Sequence, residues 1–272
     1  MRQTVPAASI RYLTAFVCAL CTSGDHDPGD HNRKHGQGTL AALLKTSRAS
    51  PVTPTDFNGL LSERVFGYDS DRAVCEGLYS GVASALFPSL EKLDFTQLSW
   101  TLNDWRRFGS TILMCGSLKY LYINEMNLDG QCAAAMFGAL GDGTVAKLEH
   151  FQLEKNAIGS EGMLAFCAAV GRGAFPMLYH LNLMSNRVGD ECCRALATIF
   201  QDGRLPKLGN LDLRVCDITM AGATALVEVI DSGKVPALAE ESSLDLGNNA
   251  MSFEELNGLK KNDGGERRRF LC

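Results

Sequence analysis

Residues 178–200 read LYHLNLMSNRVGDECCRALATIF. Leu178, Leu181 and Leu183 lead to Asn186 and Val188 in the pattern L-x-x-L-x-L-x-x-N-x-V. The stretch that follows has apolar residues at helical spacing. Thirty residues upstream the same frame holds Leu148, Phe151, Leu153, Asn156 and Ile158; thirty downstream it holds Leu208, Leu211, Leu213, Cys216 and Ile218. Leu118 and Leu238 extend the series at both ends with the same interval. A strict period in this range marks a stack of units, none of which buries its apolar face without its neighbours.

Positions 4 and 6 of the unit alternate as a strand requires, so they point inward from a parallel sheet. The asparagine at position 9 stands where the strand turns away, and its amide satisfies backbone groups that the turn leaves unpaired. Cys216 substitutes acceptably there, whereas Met126 does not, so the turn after Leu121 and Ile123 is expected to be irregular. The second half of each unit reads as a helix. Met136, Phe166, Leu196 and Leu226 form one column, and Leu140, Val170, Phe200 and Ile230 form another four residues on, on one face. Ala135, Ala165, Ala195 and Ala225 lie beside them and permit close approach. Gly143, Gly173, Gly203 and Gly233 are placed to end the helices in a left-handed conformation, and Pro176, Pro206 and Pro236 precede each new strand.

Two further copies are imperfect. Leu90, Leu93, Phe95 and Leu98 open an early one, followed by an atypical segment with Trp100 and Trp105. Leu244, Leu246, Asn249 and Met251 form a late one, displaced by a small insertion near Glu240 and Glu241. With these units the stretch 90–258 resembles a leucine-rich repeat array of the ribonuclease-inhibitor type. The resemblance implies an α/β solenoid, a short arc with parallel strands on its concave face and helices on its convex face, which works by binding other proteins. The unit is slightly longer than is usual for the family.

Before the repeats, Val74, Leu78, Val82 and Leu86 recur at helical spacing, which predicts a helix over 71–86 with that stripe buried against the open end of the stack. The divisions expected are a linker-like N-terminal segment, 1–54; a capping region, 55–89; the repeat domain, 90–258; and a basic tail, 259–272. Residues 12–21 form an apolar run behind Arg2 and Arg11, too short to span a membrane and without a clean cleavage site. Cys18, Cys21, His31 and His35 have spacings that metal sites use, but no finger core separates them, and the stretch reads as polar linker. The segment GTLAALLKTS, residues 38–47, reads as a short helix, and the prolines at 51 and 54 as loop.

A net charge of -5 and a pI near 5.6 exclude a global field that would draw the chain to nucleic acid or an anionic membrane. Of ten cysteines, Cys132, Cys167, Cys192, Cys193 and Cys216 fall at internal repeat positions and read as buried free thiols. That points to a cytoplasmic protein, with secretion the alternative if residues 1–21 act as a signal peptide.

Positions 3, 5 and 7 of each strand face outward on the concave side, and the candidate binding residues are drawn from them. They are Tyr120 and Tyr122; His150, Gln152 and Glu154; His180, Asn182 and Met184; and Asn210, Asp212 and Arg214. The tyrosine pair is either a docking anchor or covered by the Trp105 segment. His150 and His180 share a rung, but a two-ligand set falls short of a zinc site, so neither metal nor cofactor is expected. No nucleophile elbow, zinc-protease motif or phosphate loop occurs, so no catalytic residue is expected. The expected function is that of a non-enzymatic, monomeric docking module for a protein partner. The alternatives are a regulator of a small GTPase, since Ran GTPase-activating proteins share this repeat type, and a sensor-type repeat fragment.

Overall fold

The computed structural model describes residues 50–62, 69–141, 143–240 and 244–259. Six strands pair in chain order in one parallel sheet: β1 (Lys92–Thr96), β2 (Tyr120–Asn124), β3 (His150–Gln152), β4 (His180–Asn182), β5 (Asn210–Asp212) and β6 (Leu244–Asp245). Helices α1 (Pro54–Ser62) and α2 (Asp69–Leu86) precede the sheet. Between and after the strands come α3 (Leu102–Ile112), α4 (Gly130–Phe137), α5 (Gly159–Gly171), α6 (Gly189–Gln201), α7 (Met220–Asp231), α8 (Pro236–Glu240) and α9 (Phe253–Leu259). Each strand is followed by a helix that packs beside the helix of the next unit, so the chain is a leucine-rich repeat solenoid of α/β class.

The core lies between sheet and helices. Leu121, Phe151, Leu181 and Leu211 are fully buried in the strands, as are Met136, Phe166, Leu196 and Leu226 in the helices facing them. Gly173, Gly203 and Gly233 close their helices as expected, with φ of 97°, 69° and 76°; Gly143 has the same conformation at 74° but does not end α4, which stops earlier at Phe137 and leaves Leu140 outside the helix. The late insertion is visible as α8, a short extra helix before β6.

The asparagine at position 9 bonds across units. Asn156 Oδ1 accepts from the amides of Met126 (2.9 Å) and Leu128 (3.1 Å), and its Nδ2 donates to the carbonyls of Ile123 (2.8 Å) and Leu153 (2.9 Å). Asn249 does the same for Cys216 and Ile218, and Asn186 donates to Leu153 and Leu183. Cys216 donates its thiol to the carbonyl of Leu183 at 3.2 Å. The irregular turn expected at Met126 does not occur. Met126 is fully buried, its Sδ accepts from the Leu98 amide at 3.3 Å, and β2 holds register with both neighbours. Sulfur is a weak acceptor, but here it sits where the asparagine oxygen of other units sits.

The capping region departs further from expectation. α2 forms, but Val74, Leu78 and Val82 are 56%, 54% and 37% exposed; the buried residues are Tyr79 and Ala83, with Cys75 and Leu86 packed beside them. The helix carries two apolar stripes, and the one with the aromatic wins. Tyr79 stacks on Phe57 of α1 with ring centroids 4.0 Å apart, and its hydroxyl donates to the Val52 carbonyl at 2.7 Å. What decides the orientation is the neighbour it meets: Phe57 offers Tyr79 a ring to stack on and the Val52 carbonyl an acceptor for its hydroxyl. Residues 50–53, which sequence assigns to the linker-like segment, also pack here: Ser50, Pro51 and Val52 are buried, and Thr111 of α3 donates to the Pro51 carbonyl at 3.0 Å. Pro54 opens α1 where loop was expected. Proline suits a first helical position, and Thr53 Oγ1 accepts from the Asp56 amide at 3.1 Å.

The helix α3 settles the atypical first unit. Thr101 and Asp104 close a capping box at its start, and Trp105, Phe108 and Ile112 point inward. Trp100 and Trp105 lie edge to face at 4.7 Å, and both pack on Phe108. In α9 Leu256 is buried and Leu259 packs partly against the core. The metal-spaced residues Cys18, Cys21, His31 and His35, the helix expected at 38–47 and the basic tail beyond Leu259 lie outside the described residues.

Candidate protein-binding face

Strand register brings the outward side chains into rows. Lys92, Tyr120, His150, His180 and Asn210 lie side by side on successive strands; Asp94, Tyr122, Gln152, Asn182, Asp212 and Asp245 form the next row. Neighbours in a row are about 4.8 Å apart along the backbone, close enough for rings to touch. They do touch. Tyr120 stacks on His150 at 5.0 Å with 17° between the planes, His150 lies 5.7 Å from His180, and Tyr122 meets Tyr120 edge on at 6.5 Å. Lys92 Nζ sits 4.5 Å over the Tyr122 ring while pairing with Asp94 at 3.1 Å.

Both tyrosines are half-buried and keep part of their surface to solvent. The tryptophans do not fold over them: Trp105 is fully buried beneath the sheet among Trp100, Phe95 and Phe108. His180 is held below its usual pKa of 6.5, first by burial and then by His150, with Asp212 opposing. His180 therefore resists taking up a proton in the folded chain.

Sequence treats every residue of the grid as free of structural duty, and the rest of it is not. Asn182 and Asp212 are each only 8% exposed. Asn182 Oδ1 accepts from the Met184 amide at 2.9 Å, Asp212 Oδ1 from the Arg214 amide at 3.1 Å, and Asp245 Oδ1 from the Gly247 amide at 3.0 Å. The position 5 side chain thus closes the end of its own strand. Arg214 is likewise engaged, clasping Asp212 with contacts of 3.0 and 2.6 Å and reaching Asp245 at 3.2 Å. Burial raises the pKa of Asp245 above the usual carboxylate value, with the Gly247 amide opposing, the Asp212 carboxylate adding to the rise and the Arg214 guanidinium opposing it least. Asn124 Oδ1 accepts from the Glu154 amide at 2.9 Å and its amide donates to Gln152 at 3.3 Å, while Glu154 also pairs with Lys155 at 3.4 Å. Met184 and Asn210 are half-buried at the same surface.

One neighbour of this surface escapes the sequence grid. Tyr179, at position 2, is 52% exposed and its ring lies edge on to His150 at 6.2 Å. A Cβ on Gly209, the corresponding residue of the next unit, would come within 2.4 Å of that ring. The signal was legible in the column Glu91, Lys119, Glu149, Tyr179, Gly209, where the largest side chain is followed by none.

The features this face presents are touching rings, an ion pair and side chains bonded to backbone amides. Among the described residues no group of three or more His, Cys, Asp or Glu is placed to share a metal ion, and no helix is long and apolar enough to cross a membrane. Seven described cysteines are free thiols. Burial pushes Cys115, Cys167 and Cys193 up to about 12, so they stay protonated and unreactive near neutrality.

A family model described as "Leucine Rich repeat" matches residues 146–167 and 176–197, the two most regular units. No curated protein matches the chain in sequence. Among solved structures the chain is similar to one titled Leiomodin-1 Actin-Binding Site 2, at 16% identity and a TM-score of 0.43, over 59% of this chain and 92% of that one.

Proposed function

We propose that this protein is a non-enzymatic docking module of the ribonuclease-inhibitor type that binds a protein partner on its concave face. Leucine-rich repeats generally serve as protein-interaction modules, and the finer reading rests on one observation: the continuous contact of Tyr120, Tyr122, His150 and His180 across three strands. Side chains that touch one another along a sheet lose little further freedom when a partner settles on them, and tyrosine is a common anchor at interfaces. Tyr179 extends the patch toward one margin, whereas Asn182, Asp212 and Arg214 frame it from within the fold. The net charge of -5 and the buried thiols support a partner that is neither nucleic acid nor membrane, and a monomer working in the cytoplasm.

The test compares wild type with the Tyr120→Ala, Tyr122→Ala double variant, and with Leu164→Ala on the convex face as control; Leu164 is 42% exposed. The partner is captured with wild type, purified, and titrated against all three. At ~2 kcal/mol for a hot-spot truncation the double variant binds at least about thirtyfold more weakly, while the control binds as wild type does. Equal affinities for all three proteins would remove the concave face as the docking site.

A further inference from the structure

The exposed side of α2 is an uncharged helix face of the kind that packs against another helix. Ala73, Val74, Gly77, Leu78, Gly81, Val82 and Ala85 all lie on it, exposed, and from Gly77 to Leu86 the helix carries no charged residue. Nothing lies within 4 Å of where a Cβ would stand on Gly77 or Gly81. Two small residues four apart open a shallow groove between Val74, Leu78 and Val82, into which larger side chains of a second helix fit.

We propose that residues 12–21 of this same chain cover that face. Their sequence, YLTAFVCALC, is uncharged, and Leu13, Phe16, Val17 and Leu20 are spaced i, i+3, i+4 and i+7, one face of a helix. Large side chains on that stripe complement the glycines and alanines of α2, large against small. The run has no other assignment in the fold, and its connection to α2 is short. Ser50 is buried, its hydroxyl donating to Asp104 of α3 at 3.4 Å, and two residues on the Val52 carbonyl accepts from Tyr79 of α2. Residues 22–49 therefore tether the two, and a coil of that length spans about 30 Å. α2 itself, with 18 residues, is about 27 Å long. A tether matched to its target holds the segment at an effective concentration near ~1 mM. Three aliphatic side chains and a few small ones fall well short of the ~1,200 Å² that separate molecules bury in a stable interface, so the tethered segment is favoured over a second copy.

Carbene footprinting of the full chain, read peptide by peptide, tests this. At ~1 mM local concentration and an affinity of ~0.1 mM, about nine-tenths of α2 is covered. Labelling of the peptide carrying Val74, Leu78 and Val82 then rises up to about tenfold in a Phe16→Asp, Val17→Asp variant, with intact mass and an unchanged circular dichroism spectrum. Both substitutions lie outside the described residues and outside the repeats, and the unchanged spectrum checks that the solenoid stays folded. Equal labelling of wild type and variant would overturn the proposal. So would protection that grows with protein concentration, which would identify a second copy as the cover.

Discussion

Replacing Asn156 by alanine tests what joins one unit to the next. The side chain makes four bonds between 2.8 and 3.1 Å, two to the preceding turn and two to strand-end carbonyls. It is only 9% exposed, so little water is at hand to replace them. At ~1 kcal/mol for each buried bond, and more where a donor is left orphaned, the loss is about 4 kcal/mol. In urea, with a slope of ~2.5 kcal/mol/M, the midpoint falls by about 1.6 M. Asn156→Asp sharpens the test, because it keeps the acceptor that serves Met126 and Leu128 and turns the donor into a carboxylate facing two carbonyls. It destabilises at least as much as alanine at pH 7. Its folded-state pKa is raised by those carbonyls, so it regains stability as the pH falls through that value and the carboxyl takes up a proton. A loss below ~1 kcal/mol for Asn156→Ala, or an Asp variant as stable as wild type, would refute the role assigned to this side chain.

Three further outcomes follow from the geometry. Val215 is β-branched, 40% exposed and held at φ 53°, so Val215→Asn relieves a left-handed strain of ~1 kcal/mol and raises the melting temperature by about 2–4 °C in calorimetry. Gly109→Ala puts a methyl 2.5 Å from the Met136 carbonyl oxygen, where α3 crosses α4, and lowers stability by about 1–3 kcal/mol in the same urea assay. The lowered pKa of His180 means that the unfolded chain takes up its proton first. Wild type therefore loses stability as the pH falls from about 6.5 toward the lower folded-state value, and His180→Gln, measured by thermal melts from pH 8 to 5, lacks that part of the slope.

The repeat was legible because each of its columns answers one physical demand thirty residues apart. Leucines fill the core, asparagines satisfy turns, and glycines such as Gly173 take a backbone angle that a side chain resists. The misreadings came where two demands competed within one residue or one helix. α2 offers two apolar stripes at the same spacing, and only the position of Phe57 and Val52 decides that Tyr79 turns inward. Asn182 and Asp212 occupy outward positions, yet their short side chains reach the amide two residues on, a local bond that strand alternation does not reveal. Met126 fails the asparagine pattern by type but meets it by position, since its sulfur arrives where an oxygen was needed. The left-handed residues Gln97, Glu125, Lys155, Ser185, Val215 and Asn248 form a column as regular as the leucines, but their side chains share no chemistry, so nothing in composition announces it.

The asparagine bonds run in one direction. Asn156 holds amides of the turn before it, and Asn249 holds those of Cys216 and Ile218. The turn of each of these units is thus satisfied by a side chain of its successor, while other bonds, such as Asn124 Oδ1 to the Glu154 amide and Asp190 to the Thr219 amide, run the opposite way. Fraying at the C-terminal end removes the clasp from the unit behind it, whereas loss at the N-terminal end leaves the clasps of later turns in place. A unit lost from the C-terminal side therefore leaves unpaired backbone amides in the turn before it, whereas one lost from the N-terminal side leaves only a side chain to find new partners.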